Sequence, residues 1–254
     1  MIALPKMGRD SLLFLHGDDG PLAAEPFVEA LRAARLVADA EVVAPPCPGW
    51  AGEQIPVWLR TVDQLAYHYL DALERSATGP IMAVGASIGA WLLLEMATKQ
   101  PQFFAALVLV SPVGVKLNDR ETSQFSDLFA RDIADRASAL YADPTRARQR
   151  LSLLDDHQLL GLATAQEAVA RFGWEPYLHN PLLRHRLHRV TCPTAIVHGT
   201  DDRFVASLDY YRRLAALLGG PTSLMTIDRA GHRVEEEQPT ALARTVLQFL
   251  RDHR

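Results

Sequence analysis

The chain has 254 residues, 48% of them hydrophobic, and carries a formal net charge of -4. This length and composition suit one large α/β domain with an insertion and exclude a disordered or fibrous chain. The charge offers no broad attraction for nucleic acid or for an anionic membrane, so we expect neither as a partner. No segment approaches the roughly 20 apolar residues of a membrane span. The only two cysteines, Cys47 and Cys192, favour a reduced, cytoplasmic setting over a disulfide framework.

Strand and helix patterns alternate along the first 112 residues. Short apolar runs typical of buried strands cover residues 11–15, 41–44, 81–84 and 106–110. Apolar residues at helical spacing cover residues 27–38, 62–73 and 91–98. This alternation predicts a mostly parallel sheet with helices on both faces.

The alternation stops after residue 112 and resumes near residue 191. The stretch between them is helix-like over residues 123–140, 144–154 and 158–172. Beyond it, strands are predicted over residues 194–198 and 223–227, and helices over residues 207–218 and 241–250. The chain is therefore divided into a first core part (1–112), an insertion (113–190) and a second core part (191–254).

Ser87 lies where a predicted strand gives way to a helix, with Gly85 and Gly89 two positions away on either side. A Gly-x-Ser-x-Gly sequence at a strand-to-helix junction is the nucleophile-elbow pattern. Side chains at the flanking positions would collide with neighbouring backbone, so the turn needs glycine there and holds the serine outward. The alternative interpretation is a helix that simply begins with small residues.

A serine hydroxyl is a weak nucleophile unless an adjacent base takes its proton, and a third group must orient that base. Asp202 lies in the turn after the predicted strand over residues 194–198, and His232 follows the strand over residues 223–227. Open α/β sheets place their ligand sites at the carboxyl ends of strands. We therefore predict that Ser87, Asp202 and His232 form a catalytic triad of nucleophile, acid and base.

The first predicted strand runs into the turn His16-Gly17-Asp18-Asp19-Gly20. Negative charge that develops on a substrate carbonyl oxygen needs preorganised donors, and backbone N–H groups can supply them. The amides of Asp18 and of Ile88, the residue after Ser87, are the predicted oxyanion hole.

Together these motifs resemble those of the α/β-hydrolase fold superfamily, specifically its capped serine hydrolases. The resemblance covers essentially the whole chain through four motifs: His16-Gly17, the elbow at Ser87, the G-x-x-D-x-x-V turn over residues 199–205, and Gly231-His232. Residues 48–52 are similar to the family's Pro-Gly-x-Gly loop, with one extra residue between the glycines. The family turn favours Asp202 over Asp201 as the acid, because Asp201 is one residue out of register.

The resemblance implies that the insertion, residues 113–190, is a helical cap over the nucleophile. It also implies two strands before the first turn, whereas only one short strand, over residues 2–4, can precede it here. The N-terminal edge of the sheet is therefore expected to be shortened. Four aromatic residues of the cap are candidates for a substrate pocket, with packing between cap and core as the alternative: Phe125, Phe129, Trp174 and Tyr177.

These features predict a cofactor-free serine hydrolase that cleaves a small or medium carboxylic ester through an acyl-enzyme. The resemblance leaves two alternatives, C–C bond hydrolysis of ring-fission-type diketones and lactone hydrolysis. Substrates of the C–C hydrolases carry carboxylates, and the acidic pair Asp18-Asp19 argues against them unless a cap cation such as Arg171 reaches the pocket. A small-molecule receptor on the same fold is the alternative from another class.

The histidines outside the predicted triad do not indicate a metal site. Three histidines are spaced like possible metal ligands, but no cluster of cysteines or carboxylates lies near them in the sequence: His179, His185 and His188. We expect no metal and no cofactor. The expected partner is a small-molecule substrate, and the sequence leaves open whether the chain forms a homo-oligomer.

Overall fold

The computed structural model describes residues 2–34 and 41–253. Within them, six strands form one sheet in the order β2-β1-β3-β4-β5-β6, and each neighbouring pair is parallel. The strands are β1 (Leu12–Leu15), β2 (Val42–Val43), β3 (Ile81–Ala86), β4 (Phe104–Val110), β5 (Thr194–Gly199) and β6 (Thr222–Ile227). The sheet is thus wholly parallel where a mostly parallel one was predicted.

Helices cover both faces of the sheet and fill the insertion. Those of the core are α1 (Pro21–Ala34), α2 (Val62–Ser76), α3 (Ile88–Lys99), α7 (Asp209–Ala215), α8 (Val234–Glu237) and α9 (Pro239–Asp252). Those of the insertion are α4 (Ile133–Leu140), α5 (Thr145–Leu153) and α6 (Asp156–Gly173). Short 3-10 turns lie at Pro101–Phe103, Leu183–His185 and Leu187–Arg189. None of the described helices combines the length and the apolar character needed to cross a membrane.

Two apolar layers separate the sheet from its helices. Successive side chains of a strand point to opposite faces, so Leu13 and Leu15 of β1 pack in the layer that contains α2 and α3. Leu12 and Phe14 pack in the other layer, with α1 and α9. Because every strand runs in the same direction, the turns after β1, β3, β5 and β6 all emerge at one edge of the sheet.

Two predicted elements differ from the structure, and part of a third lies outside the described residues. Residues 2–4 do not form a strand, and the amide of Ile2 donates to a helix side chain, Nε2 of His68 in α2, at 3.3 Å. Instead Met7 makes one parallel bridge to Ala77, at the end of α2. The helix predicted over residues 27–38 begins earlier, at Pro21, and residues 35–38 of that prediction are not described.

The helix predicted over residues 123–140 is confined to α4. Residues 124–126 are not helical because their backbone pairs with the turn after β5. The amide of Ser126 donates to the carbonyl of Phe204 at 2.7 Å, and the amide of Ala206 donates to the carbonyl of Gln124 at 2.9 Å. The insertion is therefore joined by backbone hydrogen bonds to the turn that carries Asp202.

Candidate active site

Ser87 occupies a sharp turn between β3 and α3. Its φ is 48° and its ψ is -112°, a strained conformation for a residue other than glycine. A Cβ at Gly85 would lie 2.6 Å from backbone atoms of Gly89, and one at Gly89 would lie 2.2 Å from the carbonyl oxygen of Leu15. The two glycines therefore allow the close approach of α3 to β1 and β3 that holds the serine in this turn.

Asp202 lies in the turn after β5 and is buried. Its Oδ2 accepts hydrogen bonds from Nδ1 of His232 at 2.9 Å and from the hydroxyl of Tyr211 at 2.6 Å. Its Oδ1 accepts from the amide of Phe204 at 2.9 Å. Burial alone would raise the pKa of Asp202, but the charge of His232 and these hydrogen bonds outweigh it and lower the pKa. The carboxylate is therefore held ionised against the imidazole.

Two further residues of this region, Asp201 and Tyr211, differ in their relation to the pair of Asp202 and His232. The side chain of Asp201 accepts from the hydroxyl of Thr200 at 3.1 Å, so the structure places Asp202 and not Asp201 beside the histidine. Sequence reasoning missed Tyr211, which lies on α7 and stacks on His198 at 4.4 Å between ring centroids. No motif marks it, and only its contact with a buried carboxylate reveals it.

His232 bridges the other two residues. Its Nε2 lies 3.0 Å from Oγ of Ser87, while its Nδ1 faces Asp202, so the neutral ring that carries its proton on Nδ1 can accept the serine proton. The ring of Phe204 packs against the imidazole at 4.5 Å between centroids. The amide of His232 donates to the carbonyl of Leu140, the last residue of α4, at 2.8 Å. The insertion thus touches the histidine loop directly.

The predicted oxyanion residues both lie beside the serine, Asp18 in the turn after β1 and Ile88 at the start of α3. Asp18 and Ile88 both border the space in front of Ser87. Ile88 begins α3, so its amide has no acceptor within the helix. Nε2 of His16 accepts from the amide of Cys47 at 2.9 Å, and its Nδ1 faces the carbonyl of Gly17 at 2.8 Å. Burial lowers the pKa of His16 to about 4, so a neutral imidazole shapes the turn.

Residues of the insertion and of the core together line the space in front of Ser87. It offers volume for roughly one water molecule. It is bordered by core residues Asp18, Ile88, Phe204 and His232 and, from the insertion, by Leu128, Leu140, Val169 and Leu178. Apart from Asp18 and the reacting groups themselves, this lining is apolar.

The four aromatic residues predicted for the pocket are not among those that border this space. Phe125 stacks on Phe204 at 5.8 Å, behind the histidine. The ring of Phe129 packs edge-on against Trp174 at 5.1 Å, and Trp174 is 59% exposed. The hydroxyl of Tyr177 donates to the carbonyl of Ser126 at 2.7 Å, which keeps the ring within the insertion. The insertion residues that border the space are aliphatic instead: Leu128, Leu140, Val169 and Leu178.

Arg171, the cap cation considered for the pocket, does not border the space in front of Ser87. It is exposed, and its Nε donates to the carbonyl of Leu59 at 3.0 Å. Among the described residues, no group of three His, Cys, Asp or Glu side chains is arranged to hold a metal ion. Cys47 and Cys192 are free and buried, and the cytoplasmic location stays a prediction.

Comparison with known proteins identifies the architecture. The model of the alpha/beta hydrolase family matches residues 12–245. A solved 2-hydroxy-6-oxo-6-phenylhexa-2,4-dienoate hydrolase from Rhodococcus superposes with a TM-score of 0.69, at 21% identity, over 96% of this chain and 91% of its own. A thermophilic esterase from Thermogutta terrifontis also gives a TM-score of 0.69, at 20% identity, over 98% of this chain and 92% of its own. The predicted fold class is confirmed.

One curated relative aligns over nearly the full length. The 2-hydroxy-6-oxononadienedioate/2-hydroxy-6-oxononatrienedioate hydrolase of Burkholderia vietnamiensis is 27% identical over 265 residues, which span 96% of this chain and 88% of the relative. Its name describes a hydrolase of a dicarboxylate.

Proposed function

This chain belongs to the α/β hydrolase family, and from that premise we propose that it is a serine hydrolase of small carboxylic esters. The observation that carries the proposal is the continuous hydrogen-bonded path from Ser87 to Asp202. It consists of the 3.0 Å contact between Oγ of Ser87 and Nε2 of His232 and the 2.9 Å contact between Nδ1 and Asp202. Such a path is what nucleophilic acyl transfer requires.

In the proposed reaction, Oγ of Ser87 attacks the ester carbonyl carbon while Nε2 of His232 takes its proton. The amides of Asp18 and Ile88 stabilise the oxyanion of the tetrahedral intermediate. The imidazolium then gives its proton to the departing alkoxide, which leaves an acyl-enzyme. Water, deprotonated by the same histidine, attacks the acyl carbon, and its proton returns to Ser87 as the acid departs. Asp202 keeps the imidazole in the productive tautomer throughout.

The lining in front of Ser87 supports an uncharged acyl group. Its insertion side is aliphatic, from Leu128, Val169 and Leu178. Among the described residues that border this space there is no lysine or arginine to receive a substrate carboxylate.

C–C hydrolysis of a vinylogous diketone is the second candidate, and two observations favour it. The Burkholderia relative is named for such a substrate. The acidic pair that argued against an anionic substrate is ion-paired, since Asp18 contacts Arg233 at 2.8 Å and Asp19 contacts Arg150 at 2.5 Å. The pair therefore repels an anion less than the bare sequence suggested.

The test compares hydrolysis of p-nitrophenyl acetate and of 2-hydroxy-6-oxononadienedioate by the wild type, Ser87→Ala and Ser111→Ala. Ser111 is the matched control, because it directly follows the last residue of β4 and, like Ser87, has a positive φ, 42°. We expect Ser87→Ala to lose turnover by a factor on the order of 10⁶ and to escape fluorophosphonate labelling. Ser111→Ala should keep both the activity and the label.

Three outcomes would contradict the proposal. Wild-type rates of ester hydrolysis by Ser87→Ala would show that Ser87 is not the nucleophile. Faster turnover of the dienedioate than of any ester would replace the ester proposal with the second candidate. Turnover that stops after one equivalent would favour the receptor alternative.

A further inference from the structure

Arg233 follows His232 directly in the chain and is 5% exposed. Its guanidinium reaches across the site to the turn after β1. Nη2 donates to Oδ2 of Asp18 at 2.8 Å, and Nη1 donates to the carboxylate of Asp19. One side chain therefore joins the loop that carries the base to the turn that carries a proposed oxyanion donor.

The carboxylate of Asp18 presents an electrostatic problem for the proposed chemistry. Asp18 borders the space in front of Ser87, and its own amide is a proposed oxyanion donor. An unpaired carboxylate there would repel the negative charge that forms on the substrate oxygen. Like charges a few ångströms apart in a partly buried site slow such a step by on the order of 10²-fold.

We propose that Arg233 is a positioning residue of the hydrolase: it neutralises Asp18 and holds the oxyanion turn in place relative to His232. The fork geometry suits this role, because a guanidinium can bind two carboxylates in one plane while a single-point cation cannot. This inference rests on the proposed serine hydrolysis and names a residue that the reaction as described above does not use.

The same cluster supplies a matched control, Arg150 of α5. Its Nη1 lies 2.5 Å from Asp19 and 3.2 Å from Glu236, so it shares two of the partners of Arg233. Asp18, in contrast, is paired with Arg233. Burial raises the pKa of Asp19, but the charges of Arg233 and Arg150 outweigh burial and lower it to about 2, so this carboxylate is ionised. Loss of Arg150 thus disturbs the cluster without unpairing Asp18.

The experiment measures kcat and KM for p-nitrophenyl acetate, together with the melting temperature, for five proteins. These are the wild type, Arg233→Met, Arg233→Lys, the double variant Arg233→Met with Asp18→Asn, and Arg150→Met. We expect Arg233→Met to lower kcat about 100-fold with KM within about 3-fold, because the effect acts on transition-state charge. Removal of the opposing carboxylate in the double variant should restore kcat at least about 10-fold.

The remaining variants separate charge from structure. Arg150→Met should lower the melting temperature but reduce kcat by less than about 5-fold. Arg233→Lys keeps the charge but loses the fork, and it serves as the test if Arg233→Met does not fold. We expect its loss of kcat to stay below about 30-fold, because the positive charge still opposes that of Asp18; a larger loss overturns the proposal.

Two further results would overturn the inference: a double variant no faster than Arg233→Met, or an Arg150→Met loss of kcat equal to that of Arg233→Met. Ser87→Ala, measured in parallel, keeps this failure apart from failure of the proposed function. If Ser87→Ala is inactive and the double variant shows no recovery, only the role of Arg233 is wrong. If Ser87→Ala remains active, the serine mechanism itself is wrong.

Discussion

Glu235 offers a sharp test of the electrostatics around the site. This residue of α8 is 5% exposed, and its Oε1 lies 3.1 Å from the position that a Cβ on Gly17 would take. Burial, and after it the charge of Glu236, raises the pKa of Glu235 from 4.5 to about 8. At neutral pH the folded protein therefore holds a neutral carboxylic acid beside Gly17, in the turn after β1.

The sign of the effect on stability follows from proton binding. Between pH 4.5 and about 8 the unfolded chain has released the proton of this glutamate, whereas the folded protein keeps it. The unfolded state then binds fewer protons, so the free energy of unfolding falls as pH rises through this window. At about 1.36 kcal/mol per pH unit, the accumulated penalty is about 3 kcal/mol at pH 7 and about 5 kcal/mol above pH 8.

Glu235→Gln removes the ionisation and with it the penalty. We expect the free energy of unfolding of this variant, relative to wild type, to rise by about 2.5 kcal/mol between pH 5 and pH 7 and to level off above pH 8. Any fixed cost of burying the amide is the same at every pH. Glu236, Arg233 and Asp18 face the group in both proteins, so to first order their titrations cancel in the difference.

Urea unfolding of both proteins at pH 5, 6, 7, 8 and 9 measures this difference. Glu167→Gln, a change at an exposed position of α6, is the control and should stay within about 0.5 kcal/mol of wild type at each pH. A difference between Glu235→Gln and wild type that stays constant from pH 5 to pH 8 would refute the reasoning.

Three further predictions concern the local geometry of the site. Tyr211→Phe removes the 2.6 Å hydrogen bond to Asp202, so unfolding measurements should show a loss of about 1.5–3 kcal/mol; kcat should fall about 10-fold, and an unchanged kcat would refute a role for the hydroxyl. Gly89→Ala would place a Cβ 2.2 Å from a backbone oxygen and should lower the free energy of unfolding by more than about 4 kcal/mol. Gly161→Ala, its control within α6, meets open space and should raise the free energy of unfolding by about 0.5–1 kcal/mol. Equal melting temperatures of the two variants would contradict this. Val169→Ala enlarges the space in front of the serine. The kcat/KM for p-nitrophenyl butyrate divided by that for p-nitrophenyl acetate should therefore rise about 10-fold, and an unchanged ratio would mean that the acyl group binds elsewhere.

The alternation of short apolar runs with helical patterns was enough to predict the sheet and its helices. Parallel strands buried on both faces are apolar along their length, and this property is visible in the sequence. The predicted strand over residues 2–4 was wrong, because this segment lies against α2, where the amide of Ile2 donates to His68, and not beside the sheet. The helix predicted over residues 123–140 was too long, because backbone pairing of residues 124–126 with the turn after β5 competes with helix formation.

Partners of the site residues could not be predicted in the same way. Tyr211 lies nine positions from Asp202, and only the path of the chain through α7 brings its hydroxyl to the carboxylate. The pocket lining also depends on packing, since the predicted aromatic rings contact one another or Phe204 while Val169 and Leu178 face the serine. The pocket lining is decided by which faces of the insertion meet the core.

By itself the sequence determined the strained turn at Ser87, since close backbone approach demands glycine at positions 85 and 89 whatever surrounds them. It also determined the order of serine, aspartate and histidine along the chain. Only the tertiary structure decided that Asp18 meets Arg233, 215 residues away, and that Glu235 is buried as an acid. Local steric demands are visible in the identities of neighbouring residues. The pairing and burial of charges depend instead on which strands lie side by side in the sheet, because that order brings distant turns together.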